Sequence, residues 1–242
     1  MFEVSFNVDL KEKVYIDFLY NGLKEKIKKA NGIVFCGFNN DRVFVSVACE
    51  DCFAVEIKSE IYELFAEIYA FGFKHFYLKK NLNIYKENLL TQTLINTMTI
   101  FDSENDKKLI KKYLFNQEIG AIDGFFNFRM KRLKEKWNEI IDLTNENSVV
   151  LHDKETSCEF LSFLIDAMQG SEKVISVFKK GNSFKIKNEK GVVIDLKLPF
   201  WKNQADEEVV LFNVILLAPK QVNIIGENGF SKNFIYIIKR FF

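Results

Sequence analysis

The sequence predicts an α+β protein with a predominantly helical centre, flanked by an N-terminal β-α-β-β region and by a C-terminal meander with β-α-β-α elements. The first supporting observation is that short β-prone runs cluster at the two ends of the chain. The second is that apolar residues recur at three- and four-residue spacing through the middle. The third is that no proline lies between Met1 and Leu198, which suits uninterrupted helices. The expected regions are 1–50, 51–170 and 171–242, joined as one compact domain or as separate pieces.

Residues 2–8 alternate and form the first expected strand. Asp9, with Glu12 three residues on, makes a capping box. Val14, Tyr15, Phe18, Leu23 and Ile27 share one face of the helix that follows, and Asn31-Gly32 stops it. Residues 33–38 and 42–48 read as a hairpin with its turn inside 37–41. Ile57, Ile61, Leu64, Phe65, Ile68 and Tyr69 then keep helical spacing to about Lys80. Leu89, Leu90, Leu94, Ile95 and Met98 define a second central helix. Leu109, Ile110, Tyr113 and Leu114 define a shorter third, capped by Asp102 or Ser103. Phe128, Leu133, Trp137, Ile140 and Ile141 define a fourth, ending near Asn145. Phe160, Leu161, Leu164 and Ile165 define a fifth, stopped by Gly170. In the C-terminal region, 174–178, 184–186 and 192–196 form a meander around a Gly-Asn turn. Residues 207–217 are expected to be helical, Pro219 to end that helix, and 222–225 to be a strand before a terminal helix.

Composition narrows the function classes. The 242 residues are 48% hydrophobic and 28% charged, ordinary for a globular chain able to bury a core. There are 26 phenylalanines, and most of these rings are expected inside because they have no polar handle. A net charge of +1 gives no global footprint for nucleic acid or an anionic membrane. The longest apolar run, 209–218, is interrupted by Asn213 and is far short of the ~20 residues of a membrane helix. The first residues lack the basic and apolar regions of a signal peptide, so a cytoplasmic protein is expected. In a reducing compartment Cys36, Cys49, Cys52 and Cys158 are free thiols. Cys49-Glu50-Asp51-Cys52 is an isolated C-x-x-C, and a zinc site needs two further ligands. It reads as one buried and one partly exposed thiol, with a redox or metal protein as an alternative.

No phosphate-binding glycine loop, dinucleotide fingerprint or nucleophile elbow occurs, and His75 and His152 have no carboxylate and nucleophile near in sequence. The distinctive segment is 122–130, Ile-Asp-Gly-Phe-Phe-Asn-Phe-Arg-Met. Asp123 can cap the helix that begins there, Gly124 permits close packing at its first turn, and Phe125 and Phe128 at i and i+3 face the core together. Asn127 and Arg129 either bond structurally to neighbours or face a groove that holds an anionic or peptide ligand. Arg129, Lys131, Arg132, Lys134 and Lys136 form a basic stretch in which 129, 132 and 136 share a face; it is either a solvated helix face or a phosphate contact.

Segment 122–130 resembles the hallmark of the YtxC-like sporulation family: an acidic residue, Gly-Phe, one apolar residue and Asn-Phe-Arg, opening a long helix. Weaker likenesses are Lys154-Glu155 with Glu159-Phe160-Leu161, and the stretch 216–225 around Pro219. Together they span roughly residues 100–225, while 200–206 departs from the pattern. The resemblance implies an endospore-forming Gram-positive host and no particular reaction. The expected function is therefore a non-catalytic interaction or scaffold protein with an unidentified protein partner, no cofactor and no membrane span. The alternatives are a nucleic-acid or nucleotide binder using the basic helix from Arg129, and a redox or metal protein built on Cys49 and Cys52. Asp123, Gly124, Asn127, Arg129 and Arg132 are the candidate interaction or structural residues.

Overall fold

A computed structural model describes residues 1–82, 88–115, 117, 119–146, 154–168 and 173–242, the side chains of 146 and 154 excepted. The expected α+β class holds: two small sheets are accompanied by helices throughout. The chain divides into two compact units, one of Met1–Lys74 with Ser103–Asn138, the other of His75–Asp102 with Glu139–Phe242. Region 51–170 is thus shared between both units instead of forming a body of its own, because its helices each find their packing partners in one unit or the other.

The first unit opens with β1 (Phe2–Asp9), α1 (Lys13–Lys29), β2 (Ile33–Asn39) and β3 (Arg42–Cys49), the predicted β-α-β-β order. The strands lie in the order β1-β3-β2, all antiparallel, with Phe2 opposite Cys49 and Asn39 opposite Arg42. Two residues make the hairpin turn, and Asn40 takes the left-handed conformation (φ 56°) that Asn tolerates. The inner face buries Phe6, Val8, Val43, Val45 and Val47 against α1, which presents Tyr15, Ile16, Leu19, Leu23 and Ile27. Val14, expected on that face, is exposed. Asn31 (φ 49°) and Gly32, whose N–H reaches the Ile27 carbonyl at 2.9 Å, stop α1 as predicted.

The capping box does not form. Asp9 accepts from the Lys11 N–H at 2.9 Å and opens a short 3-10 turn, Leu10–Glu12, which separates the cap from α1 and takes Glu12 out of register. α2 (Ala54–Glu67) continues through a π-helical turn (Ile68–Phe73) into α3 (Lys74–Asn81), so the predicted long helix exists but widens midway. α5 (Ser103–Leu114) packs on α2, after α4 (Leu89–Ile100) of the second unit. An aromatic core runs through this unit, with Phe6 edge-on to Phe65 at 4.8 Å and Phe73 against Phe126 at 4.7 Å.

The predicted fourth helix is two: α6 (Ile122–Arg129) and α7 (Lys131–Glu146). The break at Met130 (φ −99°, ψ 38°) carries no Gly or Pro signal; Met130 is fully buried there, and Lys134 Nζ donates to the Asn127 carbonyl at 2.8 Å. One consequence is that Phe125 is buried while Phe128 is 84% exposed, contrary to the expected shared core face. Arg129 and Arg132 likewise stand on different helices, so the predicted common face of 129, 132 and 136 does not exist.

In the second unit, α4 is capped by Asn88, whose side chain accepts from the Thr91 N–H at 3.0 Å. α8 (Lys154–Asp166) packs on α4; its predicted stop, Gly170, lies outside the described residues, as does His152. β4 (Val174–Lys180), β5 (Ser183–Asn188) and β6 (Val193–Ile194) form the meander, and β7 (Gln221–Ile225) returns parallel to β4. The crossover helix α9 (Glu207–Leu217) starts on Asp206, which accepts from the Val209 N–H at 2.9 Å, and ends at Ala218 (φ 42°) before Pro219. Its Asn213 is buried and satisfied by the Lys197 and Val209 backbone. Terminal helix α10 (Lys232–Phe241) closes the core with Phe234, Ile237 and Ile238. No helix of the described residues is long and apolar enough to cross a membrane.

Candidate functional site

Within the first unit, segment 122–130 is fastened to β1 by several polar contacts. Gly120 and Ala121 lie parallel to β1, and Gly120 accepts from both the backbone N–H (2.8 Å) and the side-chain amide (3.0 Å) of Asn7. Arg42, at the start of β3, donates to Asn7 Oδ1 at 2.8 Å and grips both Asp123 oxygens at 2.9 and 2.6 Å. Tyr69 Oη donates to the Ile122 carbonyl at 2.9 Å. Asp123 is therefore not the cap of α6, which begins one residue earlier after Ala121; its carboxylate is committed to Arg42. Burial works to raise the Asp123 carboxyl. The Arg42 hydrogen bonds and charge, with the Gly124 and Asp123 N–H groups, outweigh that and hold it below its ordinary value. Beside it Glu12 keeps a buried Oε2 with no hydrogen-bond partner among the described residues, and burial followed by the charges of Asp123 and Asp9 pushes its carboxyl up. Arg42, Asn7 and Tyr69 were not singled out from the sequence. The usable signal was an arginine in a lysine-dominated chain, where only the planar fork serves two carboxylate oxygens.

The other segment residues are placed less centrally. Gly124 would bring a Cβ to 3.3 Å from the Ala121 Cβ, so its smallness eases a close approach. Asn127 and Arg129 are exposed on α6, and Arg132 is exposed on α7. Lys136 turns inward instead of lining a basic face: its Nζ donates to Asp106 Oδ1 at 2.6 Å. Asp106 and Lys74 are both fully buried and paired at 2.7 Å, and Trp137 Nε1 donates to the same carboxylate at 3.1 Å. Fully paired buried charges of this kind fix packing and offer no free group for chemistry.

One concave feature of this unit lies along β1. A groove of about 390 Å³ is lined by Phe2–Phe6 of β1, Lys58, Ile61 and Tyr62 of α2, and Gln117, Ile119 and Gly120. Its size is that of a small-ligand or peptide site. β1 is an edge strand, with β3 on one side only. Because the Asn7 N–H points away from β3 to Gly120, the two-residue strand period turns the N–H and C=O of Glu3 and Ser5 the same way, toward the groove. Among the described residues those groups take no backbone partner. The Lys58 ammonium lies 6.0 Å over the Phe2 ring and, among the described residues, pairs with no carboxylate. None of the residues chosen from segment 122–130 lines this groove; Gly120, two residues before the segment, stands at its Asn7 end.

Cys49 is buried and Cys52 exposed, the arrangement expected of two unlike free thiols. Burial pushes the Cys49 thiol up, which disfavours the reactive thiolate. Among the described residues no three His, Cys, Asp or Glu side chains gather as a metal site. His75, in the second unit, is buried and stacked on Trp201 at 3.5 Å. Burial, then the charge of Lys79, lowers its pKa to about 3, and Nδ1 has no hydrogen-bond partner among the described residues. Trp201 in turn donates to Glu208, which pairs with Lys202. No family model, curated protein or solved structure matches the chain.

Proposed function

We infer that the chain is a non-catalytic interaction protein of a Gram-positive endospore former, working during sporulation and receiving a protein partner in the groove beside β1. The observation that carries the interaction role is the edge of β1 over a groove, with main-chain groups turned into it that take no backbone partner among the described residues. The Asp123 carboxylate favours the same reading, because Arg42 engages both of its oxygens. The sporulation setting rests on the resemblance of 122–130, whose acidic residue is the one gripped by Arg42.

The test is a photocrosslinking experiment in sporulating cells with benzoylphenylalanine at Tyr62 in the groove, and at Phe163 on α8 as the control. A discrete protein adduct at Tyr62 and none at Phe163 is the expected result. Equal labelling at both positions, or none at Tyr62, overturns the groove as the interaction site. Heat-resistant spores at undiminished yield from a deletion strain overturn the setting.

A further inference from the structure

We propose that the groove takes an extended peptide segment of a partner protein as an added strand, parallel to β1, with an acidic side chain placed on Lys58. This rests on the interaction reading above and specifies its chemistry. Unpaired strand-edge N–H and C=O groups alternate donor and acceptor at a fixed spacing, and the ligand that satisfies them in series is another extended main chain. The chain already shows that this edge accepts a parallel strand. Gly120 and Ala121 pair with β1 in that direction at Asn7, and among the described residues the pairing goes no further. They fix both the orientation of the site and its end: an added strand fits from Phe2 to Phe6 and then meets Gly120.

The side-chain rules follow from the strand period. Residues of the added strand on the inner face meet Ile61, Tyr62 and the Phe2 ring, so they are apolar. Those on the opposite face stand beside Glu3 and Ser5, which are exposed, so they are polar. At the Phe2 end the Lys58 ammonium has no carboxylate among the described residues, which selects a Glu or Asp at the start of the peptide.

The probe is a blocked peptide, Glu-Thr-Val-Thr-Val-Lys, titrated into the isotope-labelled protein and followed by NMR and amide exchange. The expected result is saturable binding with slowed exchange of the Glu3 and Ser5 amides. N-methylation at one β1-facing amide of the peptide lowers affinity about tenfold, whereas methylation of the next amide leaves it nearly unchanged. Ser5→Pro removes an edge N–H that β3 does not use, so the β1–β3 pairing persists by CD while binding is lost. Lys58→Glu weakens binding and inverts its response to salt. Equal affinity of both methylated peptides, or full binding by Ser5→Pro, overturns strand addition. It leaves the interaction reading to the Tyr62 crosslink. No binding up to about 1 mM peptide overturns the proposal too, as does concentration-dependent self-association that Ser5→Pro abolishes, which makes a second copy the occupant.

Discussion

Removing Asp106 is expected to cost the first unit far more than any surface ion pair would. Its carboxylate is fully buried and accepts from Lys74, Lys136 and Trp137 at 2.6–3.1 Å, and the Lys74 side chain is itself 0% exposed. Asp106→Ala takes from the buried Lys74 ammonium the carboxylate it meets at 2.7 Å, a loss worth about 3–5 kcal/mol. Lys136 is one-third exposed and can turn to water, so it adds little to that sum. Replacing both buried partners by apolar residues, Lys74→Met with Asp106→Leu, removes the charge along with its desolvation, and stability returns to within about 1–2 kcal/mol of the parent. Urea unfolding followed by Trp137 fluorescence measures both variants, in a Trp201→Phe background that leaves a single reporter inside the network. A loss below about 1 kcal/mol for Asp106→Ala, or a double variant as unstable as the single, refutes the argument that a dry, paired charge holds these helices.

Further outcomes follow from other contacts. His75 is neutral when folded, with its pKa lowered to about 3, so the unfolded chain binds the extra proton below its ordinary value near 6.5. The second unit keeps this contribution above pH 6.5 and loses it as pH falls toward 3. At pH 4.5 that amounts to about 2–3 kcal/mol relative to a His75→Phe variant, read from paired urea melts. Asp123→Asn loses about 1 kcal/mol at neutral pH, since both partners are partly exposed. Because the folded Asp123 pKa is depressed, the pair's contribution is present above the ordinary carboxylate value and fades as pH falls through the folded one, so parent and variant converge in acid. Gly72→Ala puts a methyl 2.5 Å from the Tyr15 ring, which is buried and stacked on Phe73, and costs about 1–3 kcal/mol by thermal or urea melting.

Local rules sufficed for the elements at both ends of the chain. The alternation of 2–8, the paired runs 33–38 and 42–48, and the Asn-containing turn between them carry their own geometry, so the N-terminal sheet was legible before its partners were known. The same holds for α9, read from 207–217 and ended by Pro219, although its Asp206 cap was found only in the structure. Periodicity also identified the long helix to about Lys80 but not the π-helical turn at 68–73, because aromatic residues keep an apolar face through either geometry. The break at Met130 was invisible for a related reason: buried packing and the reach of Lys134 decide it, and neither is a property of residues 128–132 alone. It reversed the placement of Phe128 and dissolved the basic face of Arg129 and Arg132.

The amino-acid sequence by itself determined the strands and helices at the two ends of the chain, and it singled out 122–130 as distinctive. Tertiary structure alone decided what that segment does in the fold. Asp123 meets Arg42 across 81 positions of chain, and Asn7 meets Gly120 across 113. Such pairings depend on how the elements stack, not on their own spacing. So does the groove: β1 is an edge only because β3, rather than a later strand, lies beside it on one side alone.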